Sequence, residues 1–172
     1  NPAQARRTPP HLIQPTHPHA PTLTAVGGWG RAGSMGWMGW GGGQAVTLIG
    51  EQGNDVLFGG DDYDRLWGGA GNDTLLGGAG ADRLSGWGGD DLIEGGAGSD
   101  LIAGSNGSDV IFGQEDNDTI RGNAGNDTLN GGDGKDRLLG GAGNDTIDGG
   151  DGEDLLIGNA VADTYKHHFT PQ

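Results

Sequence analysis

The sequence predicts an all-β solenoid, two short parallel sheets facing each other across a narrow core, preceded by a disordered leader. Three observations predict it. From Gly50 to Lys166 the chain is one nine-residue pattern repeated thirteen times without a gap. Position 1 is Gly and position 6 is Asp in all thirteen. Position 8 is Leu or Ile in twelve, failing only at Tyr165, and position 4 is Gly in ten, the exceptions being Asp62, Asp116 and Val161. The rule is GGxGxDxUx, with U large and aliphatic.

Residues 1–40 form the leader. Its first stretch, Pro2 to Pro21, is rich in Pro and His and reads as a disordered linker. His11, His17 and His19 could hold a transition metal weakly, against the plainer reading of a solvated tail. The second stretch carries Trp29, Met35, Trp37, Met38 and Trp40. It either covers the open end of the solenoid or is the remnant of an upstream domain. Residues 41–49, GGGQAVTLI, run in phase with the repeats, with Leu48 at the inward position but Val46 where Asp belongs. An open solenoid end needs a cap, and these residues supply a degenerate one; the alternative is a Gly-rich linker that happens to be in phase.

Within each repeat GGxGxD is suited to a turn, because Gly takes φ > 0 without strain and Asn or Asp tolerate it next best. The xUx that follows is a short strand in which position 8 faces inward and positions 7 and 9 outward. Two nonapeptides make one coil, and coils stack about 4.8 Å apart, so thirteen repeats give roughly 31 Å of solenoid. Stacking places residue i against residue i+18 and sorts the Asp into two columns. One holds Asp55, Asp73, Asp91, Asp109, Asp127, Asp145 and Asp163; the other holds Asp64, Asp82, Asp100, Asp118, Asp136 and Asp154. Carboxylates about 5 Å apart repel by roughly 3 kcal/mol per neighbouring pair at an effective dielectric of about 20. A core of one aliphatic side chain per nine residues offsets little of that, so the folded state needs a bound cation.

Thirteen in-phase copies of GGxGxD, as in GGAGNDTLL from Gly68 to Leu76, resemble the RTX (repeats-in-toxin) calcium-binding nonapeptide family over 117 of 172 residues. The resemblance implies a right-handed parallel β-roll and, between the turns of repeats n and n+2, Ca²⁺ sites that use the Asp columns, up to about eleven in number. Ca²⁺ suits such sites, since it takes six to eight oxygens from carboxylates and carbonyls in flexible geometry. Zn²⁺ does not, because the repeats contain neither Cys nor His, and Mg²⁺ demands tighter octahedral geometry. Departures occur at Asp62, Asp116 and Trp87, which make sites on those turns less certain, and in the last repeat, where Val161 and Tyr165 mark a degenerate end coil. Residues 167–172 are a short tail.

The chain has no Cys and a formal charge of −15. All 24 acids lie between Glu51 and Asp163, whereas residues 1–49 carry only Arg6, Arg7 and Arg31 as charges. An acidic block of this kind is unsuited to nucleic acid, whose phosphates call for a Lys/Arg surface. No stretch approaches the roughly 20 apolar residues of a membrane span. Arg65, Arg83, Arg121 and Arg137 share one outer face, either as a docking surface or as relief for the acidic columns; outward Phe58, Trp67, Phe112, Leu139 and Ile157 are either a contact patch or ordinary scattered apolars.

Catalytic signatures carry no weight here. GWGRAG, from Gly28 to Gly33, matches GxGxxG by Gly density alone, and AGSMG around Ser34 lacks the strand-turn-helix setting of a nucleophile elbow. The expectation is a non-enzymatic, calcium-binding module of a secreted bacterial protein, extracellular or attached to the cell surface. The family resemblance adds type I secretion and calcium-driven folding outside the cell, although only six residues follow the last repeat, where such proteins usually carry a secretion segment. The alternatives are the tail of an RTX protease, lipase, epimerase or haemolysin whose passenger domain lies upstream, and a structural or adhesive spacer.

Overall fold

In the computed structural model, which describes residues 23–26, 38–41, 43–159 and 162–166, every regular element is a β-strand. The sixteen strands are β1 (Leu23–Val26), β2 (Met38–Trp40), β3 (Val46–Gln52), β4 (Val56–Gly60), β5 (Arg65–Ala70), β6 (Thr74–Ala79), β7 (Arg83–Gly88) and β8 (Leu92–Ala97), followed by β9 (Leu101–Asn106), β10 (Val110–Glu115), β11 (Thr119–Ala124), β12 (Thr128–Gly134), β13 (Arg137–Ala142), β14 (Thr146–Gly152), β15 (Leu155–Ile157) and β16 (Thr164–Lys166). Odd-numbered strands form one eight-stranded sheet and even-numbered strands the other, each in chain order. All pairings are parallel, and from β2 onward the register offset is 18 residues: Leu66 faces Leu84, Leu84 faces Ile102, Ile111 faces Leu129. Two nonapeptides therefore make one coil, and the molecule is a parallel β-solenoid.

The core follows from position 8. Leu57, Leu66, Leu75, Leu84, Ile93, Ile102, Ile111, Ile120, Leu129, Leu138 and Ile147 are buried, together with Leu48 and Val46 of residues 41–49. Each sheet thus carries one file of aliphatic side chains, and the two files form the core between the sheets. Leu156 packs against this cluster only in part, and Tyr165 is 46% exposed. The phenolic Oη of Tyr165 instead accepts a hydrogen bond from the N–H of Gly158 at 2.7 Å, so the last coil is closed by a polar contact.

The strands are longer than the three-residue xUx that the pattern predicts. Most run six residues, from position 7 through positions 1 to 3 of the next repeat, and only positions 4 to 6 make the turn. Positions 2 and 3 of the next repeat thus stay in the ladder: Gly69 pairs with Trp87 and Ala70 with Gly88. Position 2 bends the strand without ending it, because its positive φ, as at Gly78 (109°) or Gln114 (84°), turns the chain while its hydrogen bonds to neighbouring coils persist.

Two strands come from the segment that composition assigns to a disordered leader. β1 pairs with β3, Leu23 facing Val46 through Val26 facing Ile49, and β2 pairs with β4, Met38 facing Val56 through Trp40 facing Phe58. An exposed sheet edge offers a row of unpaired N–H and C=O groups, and short segments rich in β-branched and aromatic residues satisfy it. The imidazoles of His11, His17 and His19, the motifs at Gly28 to Gly33 and at Ser34, residue Val161 and the tail at 167–172 lie outside the described residues.

Candidate metal centres

The thirteen Asp of position 6 stand in the two columns that the 18-residue stacking requires. The carboxylates from Asp55 to Asp145 are buried, each at most 3% exposed, whereas Asp154 and Asp163 at the C-terminal end are partly open. Each column is threaded by one repeating contact. The backbone N–H of one Asp donates to Oδ1 of the Asp one coil further on: Asp55 to Asp73, Asp73 to Asp91 and Asp91 to Asp109 in one column, Asp64 to Asp82, Asp82 to Asp100 and Asp100 to Asp118 in the other, at 2.7–2.9 Å. The chains continue through Asp127, Asp145 and Asp163 and through Asp136 and Asp154. Val46, where the repeat would write Asp, donates its N–H to Oδ1 of Asp64 at 2.8 Å and so completes the start of its column.

The second carboxylate oxygen is treated differently. Oδ2 of Asp64, Asp73, Asp82, Asp91, Asp100, Asp109, Asp118, Asp127, Asp136 and Asp145 is buried with no hydrogen-bond partner. A buried, unpaired carboxylate oxygen is costly, and the ionisation of these groups records it. Desolvation by burial, outweighing the backbone hydrogen bond, pushes Asp64, Asp91, Asp100 and Asp118 up to about 7 and Asp73, Asp82 and Asp127 up to about 6, from an ordinary 3.8. Asp109, Asp136 and Asp145 move in the same direction for the same reason. Neighbouring carboxylates add to the rise at several of them, Asp82 and Asp136 among those acting on their column mates.

The invariant Gly of position 1 is explained by the same oxygen. A Cβ at Gly59, Gly77, Gly95 or Gly113 would fall well inside 3.0 Å of Oδ2 of the Asp five residues on, and of a carbonyl of the next coil. Positions 2 and 4 are Gly-rich for another reason, namely a left-handed backbone. At position 4, Asp62 and Asp116 adopt φ of 70° and 75°, so these departures keep the turn rather than breaking it.

Among the described residues no three His, Asp or Glu side chains converge on one point. The carboxylates are arrayed one per coil, so a cation between coils would take the rest of its oxygens from backbone carbonyls, the donor set that Ca²⁺ accepts. Buried oxygens without partners and carboxylates held above their ordinary range fit a hard divalent ion. The sequence pattern did not reveal a second ladder on the turn surface. There Asn72, Asp90, Ser108 and Asn144 donate their N–H groups to Asn54, Asn72, Asp90 and Asn126 respectively. Its signal was present in the odd repeats, where position 5 is Asn, Asp or Ser from 54 to 144.

The sequence model of the RTX calcium-binding nonapeptide repeat matches four copies, at residues 40–66, 67–102, 103–138 and 130–165. This chain belongs to the RTX calcium-binding nonapeptide repeat family. The matched region runs unbroken from 40 to 165 and includes every strand described above except β1, the start of β2 and Lys166 at the end of β16. As an RTX protein it is a calcium-binding module built on a parallel β-solenoid. Neither the curated proteins nor the solved structures contain a match to the chain. Among the described residues no helix is long and apolar enough to cross a membrane.

Of the outward features, Arg65 and Arg83 are gathered on Tyr63. Arg65 lies 4.7 Å and Arg83 5.4 Å from the ring centroid, and Arg83 also donates to the Tyr63 hydroxyl. Among the described residues the one salt bridge is between exposed Lys135 and Glu153, so the arginines do not relieve the Asp columns by direct pairing.

Proposed function

We propose that the two Asp columns are files of Ca²⁺ sites, that filling them folds the RTX block, and that the protein does this outside the cell as a secreted module with no reaction of its own. The observation that carries the reading is the row of buried Oδ2 atoms without hydrogen-bond partners, repeated coil after coil. A fold that stacks so many desolvated carboxylates pays for it in every coil, and bound Ca²⁺ supplies the positive charge that offsets both the desolvation and the repulsion between coils. In each column Oδ1 holds the preceding coil in register through its N–H, and Oδ2 is left to the ion. Seven Asp in one column and six in the other give six and five inter-coil positions, about eleven sites in all.

Binding energy then becomes folding energy. A chain that stays open where calcium is scarce and closes where it is plentiful suits passage across a membrane before folding, which is the basis for placing its action in the extracellular space. The test is far-UV circular dichroism of the full chain at pH 8 during a Ca²⁺ titration with Mg²⁺ in parallel. A cooperative coil-to-β transition with Ca²⁺ alone is expected. Full β structure in chelator, or none in millimolar Ca²⁺, would overturn the reading.

A further inference from the structure

A cavity of about 430 Å³ opens on the outer face of the odd-numbered sheet, lined among others by Ile49, Glu51, Gln52, Trp67, Gly69 and Trp87. Its volume lies within the roughly 300–1,000 Å³ typical of small-molecule sites. The sheet register explains how it arises. Glu51 faces Gly69 and Gly69 faces Trp87, so these three occupy position 2 of successive coils in one column. Gly69 (φ 114°) carries no side chain, and on its backbone as it stands a Cβ would fall well inside 3.0 Å of the Glu51 carbonyl. A gap one strand wide therefore separates the side chains of Glu51 and Trp87. Trp67, two residues before Gly69 on the same face of β5, walls the third side.

Two of these residues are held at a cost. Position 2 is left-handed in every described repeat; Glu51 adopts φ 76° and Trp87 φ 80° where the pattern more often writes Gly. A bulky side chain in that region is an outlier, and such outliers gather at ligand clamps. Trp87 is also 61% exposed, the most exposed large apolar side chain of the described residues, so burial does not account for it.

We infer that this cavity binds a small organic cation, an alkyl- or quaternary ammonium group. The two indoles offer the negative faces that attract such ions, and Glu51, which forms no salt bridge among the described residues, supplies the charge. No Lys or Arg lines the cavity, and the nearest cations of this face, Arg65 and Arg83, are engaged with Tyr63 instead. The site uses none of the column Asp and rests on no metal.

The test uses the full chain in the buffer in which circular dichroism shows it to be β-structured, titrated with choline and with 3,3-dimethyl-1-butanol, its neutral isostere, and followed by calorimetry and Trp fluorescence. Choline is expected to bind about fivefold or more tighter than the isostere, the discrimination a single cation–π contact provides. Trp87→Gly restores the residue the repeat favours, so it should leave the dichroism unchanged while abolishing choline binding. Glu51→Gln should weaken choline and leave the isostere unaffected. Equal binding of the two probes, no binding of choline, or undiminished binding in Trp87→Gly would overturn the inference.

Discussion

The backbone N–H of Asp82 donates to Oδ1 of Asp100 at 2.7 Å, while Oδ2 of Asp100 is buried with no partner at all. One carboxylate thus performs two tasks, holding register with one oxygen and keeping the other for a ligand. Asp100→Asn separates them, since the amide keeps an acceptor for Asp82 but loses the charge. Its Ca²⁺ midpoint should rise by more than the roughly tenfold that even an outer partner of a metal ligand is worth. In saturating Ca²⁺ it should still reach the parent's β signal, because the register contact is kept. Calcium titrations followed by dichroism, read at the midpoint and at the plateau, check both halves.

The raised carboxylates set a pH dependence of definite sign. In the metal-free solenoid Asp64, Asp91, Asp100 and Asp118 hold their protons up to about 7, and Asp73, Asp82 and Asp127 up to about 6, against 3.8 when unfolded. Below about pH 4 both states are protonated and the contribution to stability is fully present. Between there and pH 7 the folded state binds more protons, so stability falls as pH rises and the loss is complete above the folded values. In chelator β structure should therefore be greater at pH 5 than at pH 8, where the chain is expected to be coil, as dichroism at the two values would show.

Calcium reverses that order, because it binds the deprotonated carboxylates. Where dichroism shows the metal-free chain to be β-structured near pH 6, uptake should expel protons from the columns, and far fewer should leave at pH 8.5, where the groups are already ionised. A pH-stat titration at the two values measures this directly, and equal release at both would mean that the column carboxylates are not the ligands.

The period of nine made the fold legible before any coordinates: position 8 named the core from Leu57 to Ile147, and the 18-residue stack named both Asp columns. Three features were not legible. Strand length was hidden because Gly69 and Gly78 look like turn residues yet remain in the ladder with left-handed backbones. The division of labour between Oδ1 and Oδ2 is a three-dimensional fact that a repeated letter D does not carry. β1 lies outside the period and β2 keeps its 18-residue offset without its motif, so both are fixed by the sheet edges they meet rather than by their own pattern.

Each sheet supplies only one aliphatic per coil to the core, so a vacancy in its file has no spare side chain beside it in that strand to fill it. Ile111, fully buried between Ile93 and Leu129, should cost about 2–5 kcal/mol when replaced by Ala. Guanidinium unfolding in saturating Ca²⁺ measures it, and a loss comparable to that of an exposed substitution would mean that position 8 does not carry the packing.

Adjacent residues Gly113 and Gln114 distinguish the two reasons for glycine in the repeat. A Cβ at Gly113 would overlap Oδ2 of Asp118 and the carbonyl of Gly131, neither of which can retreat, since one is fixed in the column and the other in the ladder. Gly113→Ala should therefore cost at least the roughly 1–3 kcal/mol of an overpacked core, and it should weaken Ca²⁺ binding because it displaces a proposed ligand atom. Gln114 sits at φ 84° with an exposed side chain, so its backbone already has the conformation Gly prefers. Gln114→Gly should change stability by no more than about 0.5 kcal/mol and leave the Ca²⁺ midpoint where it is. The same dichroism titration run on both variants decides the point: similar effects would show that position 1 is glycine for its backbone freedom, and the steric account of its invariance would fall.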